Sequence, residues 1–225
     1  MPFFLIRHAD GDVLVDGGNP LAVAQDARAH WGALSDVFAV NMTEDQHCAA
    51  QLAAFGVGAG DIRYIVQTHL HIDHVGALGH FPDAEIVVHE RELEAALAAE
   101  DPVATGYVLA DYDRPGLRWR LIGGDHDLFG DGTVQLLQTP GHSAGHMSLL
   151  ITLQETGPVL LTADASDNRR QWDGRDHPRA LHSREQAAES MARLHSLAAE
   201  HDPVIVFGHD PRNWSSVRHA PDRYV

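Results

Sequence analysis

The sequence predicts an α/β protein in which two β-sheets pack face to face and helices cover their outer sides. Each half of the 225-residue chain contains strands, then a helix, then a further strand. In the strand segments, apolar residues either alternate with polar ones or form an unbroken run, and both patterns are typical of buried strands. Because no Ser/Gly-rich linker separates the halves, residues 1–225 are expected to form a single domain.

The first half is expected to open with a β-hairpin. Apolar runs at residues 3–7 and 13–15 flank the tight turn Asp10-Gly11-Asp12, which is typical of two antiparallel strands. The remaining elements predicted for this half are helices over residues 21–31 and 91–99, a short helix over 73–78, and strands over 62–66 and 85–88.

A capping box, Thr43-Glu44-Asp45-Gln46, predicts another helix in the first half. Cys48, Leu52 and Phe55 follow it at helical spacing and are expected to share its buried face. The irregular residues 101–116 predict a long surface loop, a kind of segment that is usually functional or disordered in a compact domain.

The second half is rich in strands. A second capping box, Ser183-Arg184-Glu185-Gln186, predicts a helix with Ala187, Met191, Leu194 and Ala198 on one face. The strands are predicted over residues 118–122, 133–138, 147–153, 159–162 and 204–207.

Charge and cysteine content exclude several classes of partner. The formal net charge of −16 argues against nucleic acid and against anionic membrane surfaces, since both require clustered Lys and Arg. The single cysteine, Cys48, can form no disulfide within the chain. No basic segment precedes the short apolar start, and no apolar run approaches the ~20 residues that span a bilayer. We therefore expect a cytoplasmic protein.

The most informative segment is Thr68-His69-Leu70-His71-Ile72-Asp73-His74, which directly follows the predicted strand at residues 62–66. Imidazole and carboxylate groups are accepted ligands of divalent transition metals. The segment offers more such groups than one metal ion needs, so its spacing indicates two. A histidine-rich loop without function is the alternative, in a chain with 17 histidines.

Histidine or aspartate residues also follow three other predicted strands. They lie in Thr139-Pro140-Gly141-His142-Ser143-Ala144-Gly145-His146, at Asp164 and at His209. Because strand ends converge at one edge of a sheet, these side chains can meet although they are far apart in sequence.

The motifs THLHIDH, TPGHSAGH, LTADAS and FGHD, in this order, resemble those of the metallo-β-lactamase superfamily. The resemblance covers nearly the whole chain. It implies a four-layer αββα sandwich with a dinuclear metal site along one edge. The implied cofactors are two divalent metal ions, with zinc the expected metal.

The resemblance also implies a ligand for each position of that site. His69, His71 and His142 would bind one ion, Asp73, His74 and His209 would bind the other, and Asp164 would bridge them. His146 is then expected to support the site without binding metal. Two ions about 3.5–4 Å apart can share one water and lower its pKa toward neutrality.

Within the superfamily, the chain is most similar to the N-acyl homoserine lactonases and related small-lactone hydrolases. The implied reaction is the opening of a lactone ring by a hydroxide that bridges two zinc ions. Hydrolysis of another ester, a thioester or a phosphoester at the same site is the alternative. A non-catalytic metal-binding or interaction protein is a third hypothesis.

The chain departs from those lactonases at one position. They typically carry a tyrosine three residues after the bridging aspartate, where it hydrogen-bonds the substrate, and here that residue is Asp167. An ionised carboxylate cannot donate a hydrogen bond. Asp167, with Asp73 and Asp164, is a predicted catalytic carboxylate that is either protonated or a proton shuttle. Otherwise Tyr107 or Tyr112 would replace the tyrosine, or Asp167 is a solvated loop residue.

A second departure concerns the N-terminus, where members of the family carry a longer segment before the first strand. We expect one or two strands of the sandwich to be missing, which would leave a sheet edge exposed. A truncated sequence, a homodimer that covers this edge and a compact variant are all consistent with that expectation.

Overall fold

The computed structural model describes residues 1–179 and 181–225, and the strands of this part of the chain form two five-stranded sheets. The protein consists of two compact units, one of Met1–Val88 with Leu93–Leu121 and the other of His89–Glu92 with Ile122–Val225. The prediction of an α/β protein with two sheets is confirmed.

The first sheet has the strand order β1-β2-β3-β4-β5. β1 and β2 form the predicted antiparallel hairpin, and β2, β3 and β4 run parallel to one another. The C-terminal ends of these three strands therefore lie at the same edge of the sheet. The strands are β1 (Phe4–Ile6), β2 (Asp12–Val15), β3 (Ile62–Val66), β4 (Glu85–His89) and β5 (Arg118–Ile122).

Five α-helices precede β5 within the described residues. One of them spans the predicted residues 21–31 but is interrupted by a kink at Asp26, whose φ of −156° and ψ of 90° are not helical. The helices are α1 (Leu21–Trp31), α2 (Cys48–Ala54), α3 (Glu90–Leu97), α4 (Pro102–Thr105) and α5 (Leu109–Tyr112). Single turns of 3₁₀-helix are Gly32–Asp36, Glu44–Gln46 and Val75–Ala77.

The prediction of a long surface loop over residues 101–116 is wrong. This segment contains α4, whose N-terminus is capped by the Asp101 carboxylate, and α5. Tyr107 and Tyr112 are buried in the apolar core of the first unit, with Leu14 and Ile65. Two aromatic side chains bury enough apolar surface to hold the segment against the core.

The capping box at residues 43–46 starts a 3₁₀ turn, and α2 begins only after His47, whose ring caps it. Cys48 and Leu52 are buried as predicted. Phe55 lies just beyond the last residue of α2 and is 48% exposed, so the prediction that it shares the buried face is wrong.

The second sheet has the order β10-β9-β8-β7-β6. β10 runs parallel to β9, and the other neighbouring pairs are antiparallel. The two-residue strand β6 is too short for its sequence pattern to predict it. The strands are β6 (His126–Asp127), β7 (Val134–Gln138), β8 (Met147–Leu153), β9 (Gly157–Ala163) and β10 (Val204–Phe207).

The long helix of the second unit begins where its capping box predicted, because the Ser183 hydroxyl accepts a hydrogen bond from the Gln186 amide. Met191 and Leu194 of this helix pack against Leu160 and Phe207 of the sheet. The helices are α6 (Arg169–Trp172), α7 (Arg184–His201) and α8 (Pro211–Ser216). Among the described residues, no helix has the length and apolarity needed to cross a membrane.

The chain that leaves β2 packs directly on the histidine-rich segment of the same unit. The Gly17 amide donates a hydrogen bond of 2.8 Å to the His74 carbonyl, and the Gly76 amide donates one of 2.9 Å to the Gly18 carbonyl. A Cβ atom on Gly17 would lie 2.0 Å from the Ala77 nitrogen. The approach of the two backbones therefore requires glycine at position 17.

We predict that Gly17→Ala lowers the free energy of unfolding by about 1–3 kcal/mol, because the added methyl overpacks this contact. Gly60→Ala is the matched control, since a Cβ there meets no atom within 4 Å. The control is expected to change stability by less than about 0.5 kcal/mol. Urea unfolding of both variants measures the difference, and equal stabilities would contradict the prediction.

Candidate metal centre

In the first unit, the residues after β3 bury three imidazoles against one another. His69, His71 and His74 are each at most 5% exposed. The ring centroid of His69 lies 4.5 Å from that of His71 and 3.9 Å from that of His74. The Asp73 side chain is partly exposed, with Oδ1 3.8 Å from His74 Nε2. The four predicted ligands of this segment thus form one group within the unit.

A buried aspartate at the end of β2 orients this group. Asp16 Oδ2 lies 2.8 Å from His74 Nδ1 and accepts a 2.8 Å hydrogen bond from the Thr68 hydroxyl. Asp16 Oδ1 accepts another of 2.8 Å from the Thr68 amide. An ionised carboxylate only accepts, so His74 Nδ1 carries the proton and Nε2 keeps its lone pair. This arrangement prepares an imidazole for a metal ion.

Sequence reasoning missed the role of Asp16. The residue adopts a positive φ of 57°, which is uncommon outside glycine and is often associated with a functional constraint. The available signal was a carboxylate at a strand end, in Asp16-Gly17-Gly18, the same signal that singled out Asp164.

In the second unit, Asp164 follows β9 and is approached by two imidazoles. Its Oδ2 atom lies 3.4 Å from His142 Nε2 and 3.2 Å from His209 Nε2. His142 Nδ1 donates a 2.9 Å hydrogen bond to the Arg179 carbonyl, so His142 Nε2 keeps its lone pair. The structure therefore brings the three predicted ligands of this unit together.

The other histidine of the TPGH motif supports the site from behind. His146 Nε2 accepts a 3.0 Å hydrogen bond from the Asp164 amide, and Nδ1 lies 2.9 Å from the Thr139 hydroxyl. The His146 ring thus holds the backbone just after β9 through Nε2 and contacts the Thr139 side chain just after β7 through Nδ1.

Glycines allow the close approach of these turns. A Cβ on Gly141, which has a φ of 131°, would lie 2.2 Å from the Ala187 nitrogen of α7. A Cβ on Gly208 would lie 2.6 Å from Asp164 Oδ1. The residue before each of His142 and His209 must therefore be glycine for the imidazole to keep its place.

A second buried carboxylate that sequence reasoning missed holds the turn around His142. Glu92 Oε2 accepts hydrogen bonds from the Ser143 hydroxyl, at 2.7 Å, and from the Gly145 amide, at 2.8 Å. Glu92 is fully buried on α3. No motif in the sequence links α3 to residues 143–145, so nothing indicated this contact.

Asp167 is buried and is held by Gln171. The Asp167 amide donates to Gln171 Oε1 at 2.7 Å, and Gln171 Nε2 donates to Asp167 Oδ2 at 3.1 Å. Burial and, after it, the negative charge of Asp164 raise the pKa of Asp167. Its interpretation as a solvated loop residue is therefore wrong, because the side chain is only 9% exposed.

Tyr112 cannot supply the missing phenol. It is buried, and its hydroxyl donates a 2.9 Å hydrogen bond to the Ala96 carbonyl in the core of the first unit. The ring of Tyr107 lies 4.8 Å from that of His71, between centroids. Of the two tyrosines considered, only Tyr107 lies beside a predicted ligand.

The groups present fit divalent metal ions. Each unit offers an imidazole whose Nδ1 atom is already engaged, at His74 and His142, and each also offers a carboxylate, at Asp73 and Asp164. Asp164, Asp167 and His209 each place one potential ligand atom within 4.8 Å of the others. Imidazole nitrogen and carboxylate oxygen are ligands that zinc accepts. The donor set gives no preference for a redox metal over zinc.

Comparisons with known proteins agree with the motifs. Residues 3–209 match the metallo-β-lactamase superfamily. The N-acyl homoserine lactonase AttM of Azorhizobium caulinodans is 42% identical over 228 residues, which cover 100% of this chain and 87% of AttM. The N-acyl homoserine lactonase AiiA of Bacillus thuringiensis subsp. kurstaki is 34% identical over 220 residues, covering 97% of this chain and 84% of AiiA.

A solved structure extends the agreement to the fold. An N-acyl homoserine lactone hydrolase, with the product N-hexanoyl-L-homoserine bound at its catalytic metal centre, superposes with a TM-score of 0.85 at 33% identity. The match covers 97% of this chain and 84% of that one. The family and the fold class expected from the motifs are thereby confirmed. The chain belongs to the metallo-β-lactamase superfamily.

Proposed function

We propose that this protein is a metal-dependent hydrolase that opens the ring of N-acyl homoserine lactones. The observation that carries the proposal is the 42% identity to the lactonase AttM along the full length of the chain. The presence of every predicted imidazole and carboxylate ligand also supports the proposal, because metal-dependent hydrolysis requires side chains that hold the metal ions.

We further propose a dinuclear metal centre that holds two divalent ions, most simply zinc. His69, His71 and His142 would hold one ion, Asp73, His74 and His209 would hold the other, and Asp164 would contribute to both. The hydrogen bonds that fix the Nδ1 protons of His74 and His142 support this assignment.

Bound divalent ions supply a Lewis acid and a nucleophile that is active at neutral pH. The chain's own residues contribute orientation and charge. Asp16 holds the His74 ring through Nδ1, and His146 holds the Asp164 backbone. Ring opening breaks the acyl C–O bond of the lactone and adds one water, giving a carboxylate, a free hydroxyl and one released proton.

The whole chain is proposed to act as one metallo-β-lactamase-like domain, which the single family match across residues 3–209 supports.

A cytoplasmic location is proposed from the single, buried cysteine, Cys48, which can form no disulfide within the chain. The homodimer stays a prediction.

The first experiment measures proton release by the purified protein against a panel of N-acyl homoserine lactones, simple γ-lactones, carboxylic esters, thioesters and phosphoesters. We expect turnover of the acyl homoserine lactones, its loss after treatment with a chelator, and its return when zinc is restored. Turnover of a thioester or phosphoester without any lactone would contradict the lactonase proposal and favour the alternative hydrolase.

The second experiment tests how the site is oriented. Asp16→Asn weakens the acceptor that fixes the Nδ1 proton of His74, and we expect metal affinity to fall about 10–100-fold. The measurement is competition for zinc with a chromophoric chelator. Asp10→Asn, which removes an exposed carboxylate from the same hairpin, is the matched control. Equal affinities in the two variants would contradict the proposed role of Asp16.

A further inference from the structure

The side chain and backbone of Asp167 are held in place by hydrogen bonds with Gln171. Asp167 lies just before α6, whose N-terminus is capped by the Asn168 side chain through the amides of Arg170 and Gln171. This cap fixes Gln171, and the Gln171 amide group then binds both the backbone nitrogen and Oδ2 of Asp167. The carboxylate therefore has one defined orientation.

Gln171 binds Oδ2 of the Asp167 carboxylate but not Oδ1. Within residues 1–179 and 181–225, Asp167 Oδ1 is a buried atom without a hydrogen-bond partner. The side chain as a whole is nine-tenths buried. An ionised carboxylate oxygen that is removed from water and meets no donor is strongly destabilised unless a cation is present.

The same carboxylate lies beside two predicted ligands. Asp164, Asp167 and His209 have potential ligand atoms within 4.8 Å of one another. The backbone joins them as well, since the His209 amide donates a 2.7 Å hydrogen bond to the Asp167 carbonyl. Two carboxylates this close repel each other, and a divalent ion between them offsets the repulsion.

We propose that Asp167 is an additional ligand of the metal ion that His209 and Asp164 hold. This inference rests on the proposed dinuclear centre and extends it, because the related lactonases typically carry a tyrosine at this position. An aspartate here adds an oxygen ligand and one negative charge to the centre. It also removes the phenol that would hydrogen-bond the substrate.

The test uses the full chain, stripped of metal and titrated with zinc and, separately, with Co²⁺. In Asp167→Asn the amide oxygen still accepts the hydrogen bond from Gln171, but the amide nitrogen cannot bind the metal. We expect one of the two metal equivalents to bind at least about tenfold more weakly, as expected for the loss of a ligand contact. The visible spectrum of Co²⁺ in that site should change with its coordination.

Asp202→Asn is the matched control for the loss of one negative charge. Asp202 is exposed at the C-terminal end of α7, in the left-handed conformation that asparagine tolerates, and β10 separates it in sequence from His209. Asp167→Ala is a second variant that removes the carboxylate. Thermal unfolding of the metal-free proteins checks that all of them fold.

The outcomes separate this inference from the proposed function. If wild-type protein opens lactones and binds two equivalents, and both Asp167 variants bind them as tightly as Asp202→Asn with unchanged Co²⁺ spectra, the inference is overturned and the lactonase proposal stands. If wild-type protein binds no stoichiometric metal, the proposed centre fails, and the additional ligand fails with it.

Discussion

The hydrogen bond between the buried Asp16 carboxylate and His74 Nδ1 is the constraint on which the histidine group of the first unit depends. It fixes the ring and the position of its proton, so the remaining lone pair has one direction. The same carboxylate holds the side chain and the amide of Thr68, and therefore the start of the segment that carries the other imidazoles.

The second unit uses the same principle with different partners. A backbone carbonyl, that of Arg179, fixes the Nδ1 proton of His142, and the His146 ring holds the Asp164 amide. Glu92 fixes the turn that follows His142. His74, His142 and Asp164 thus each lie in a segment that follows a strand and are oriented by groups outside the predicted ligand set. Such pre-organisation reduces the entropy that metal binding must otherwise offset.

The sequence predicted what depends on local pattern and on recognisable motifs. The capped start of α7 follows from its capping box, and the ligand motifs follow from their residue types and spacing. Asp16 and Glu92 were missed because their partners lie 58 and 53 residues away and no motif joins them. Tyr112 was placed in a surface loop because local irregularity gives no sign of tertiary burial.

The central proposal is that the chain holds two metal ions at the ligands that its motifs predict. The most direct measurement is anomalous X-ray diffraction from a crystal of the zinc-loaded protein. The account predicts two zinc peaks about 3.5–4 Å apart, a separation typical of two-metal hydrolytic sites. The peaks should lie among His69, His71, Asp73, His74, His142, Asp164 and His209. A single peak, or peaks away from these residues, would contradict it.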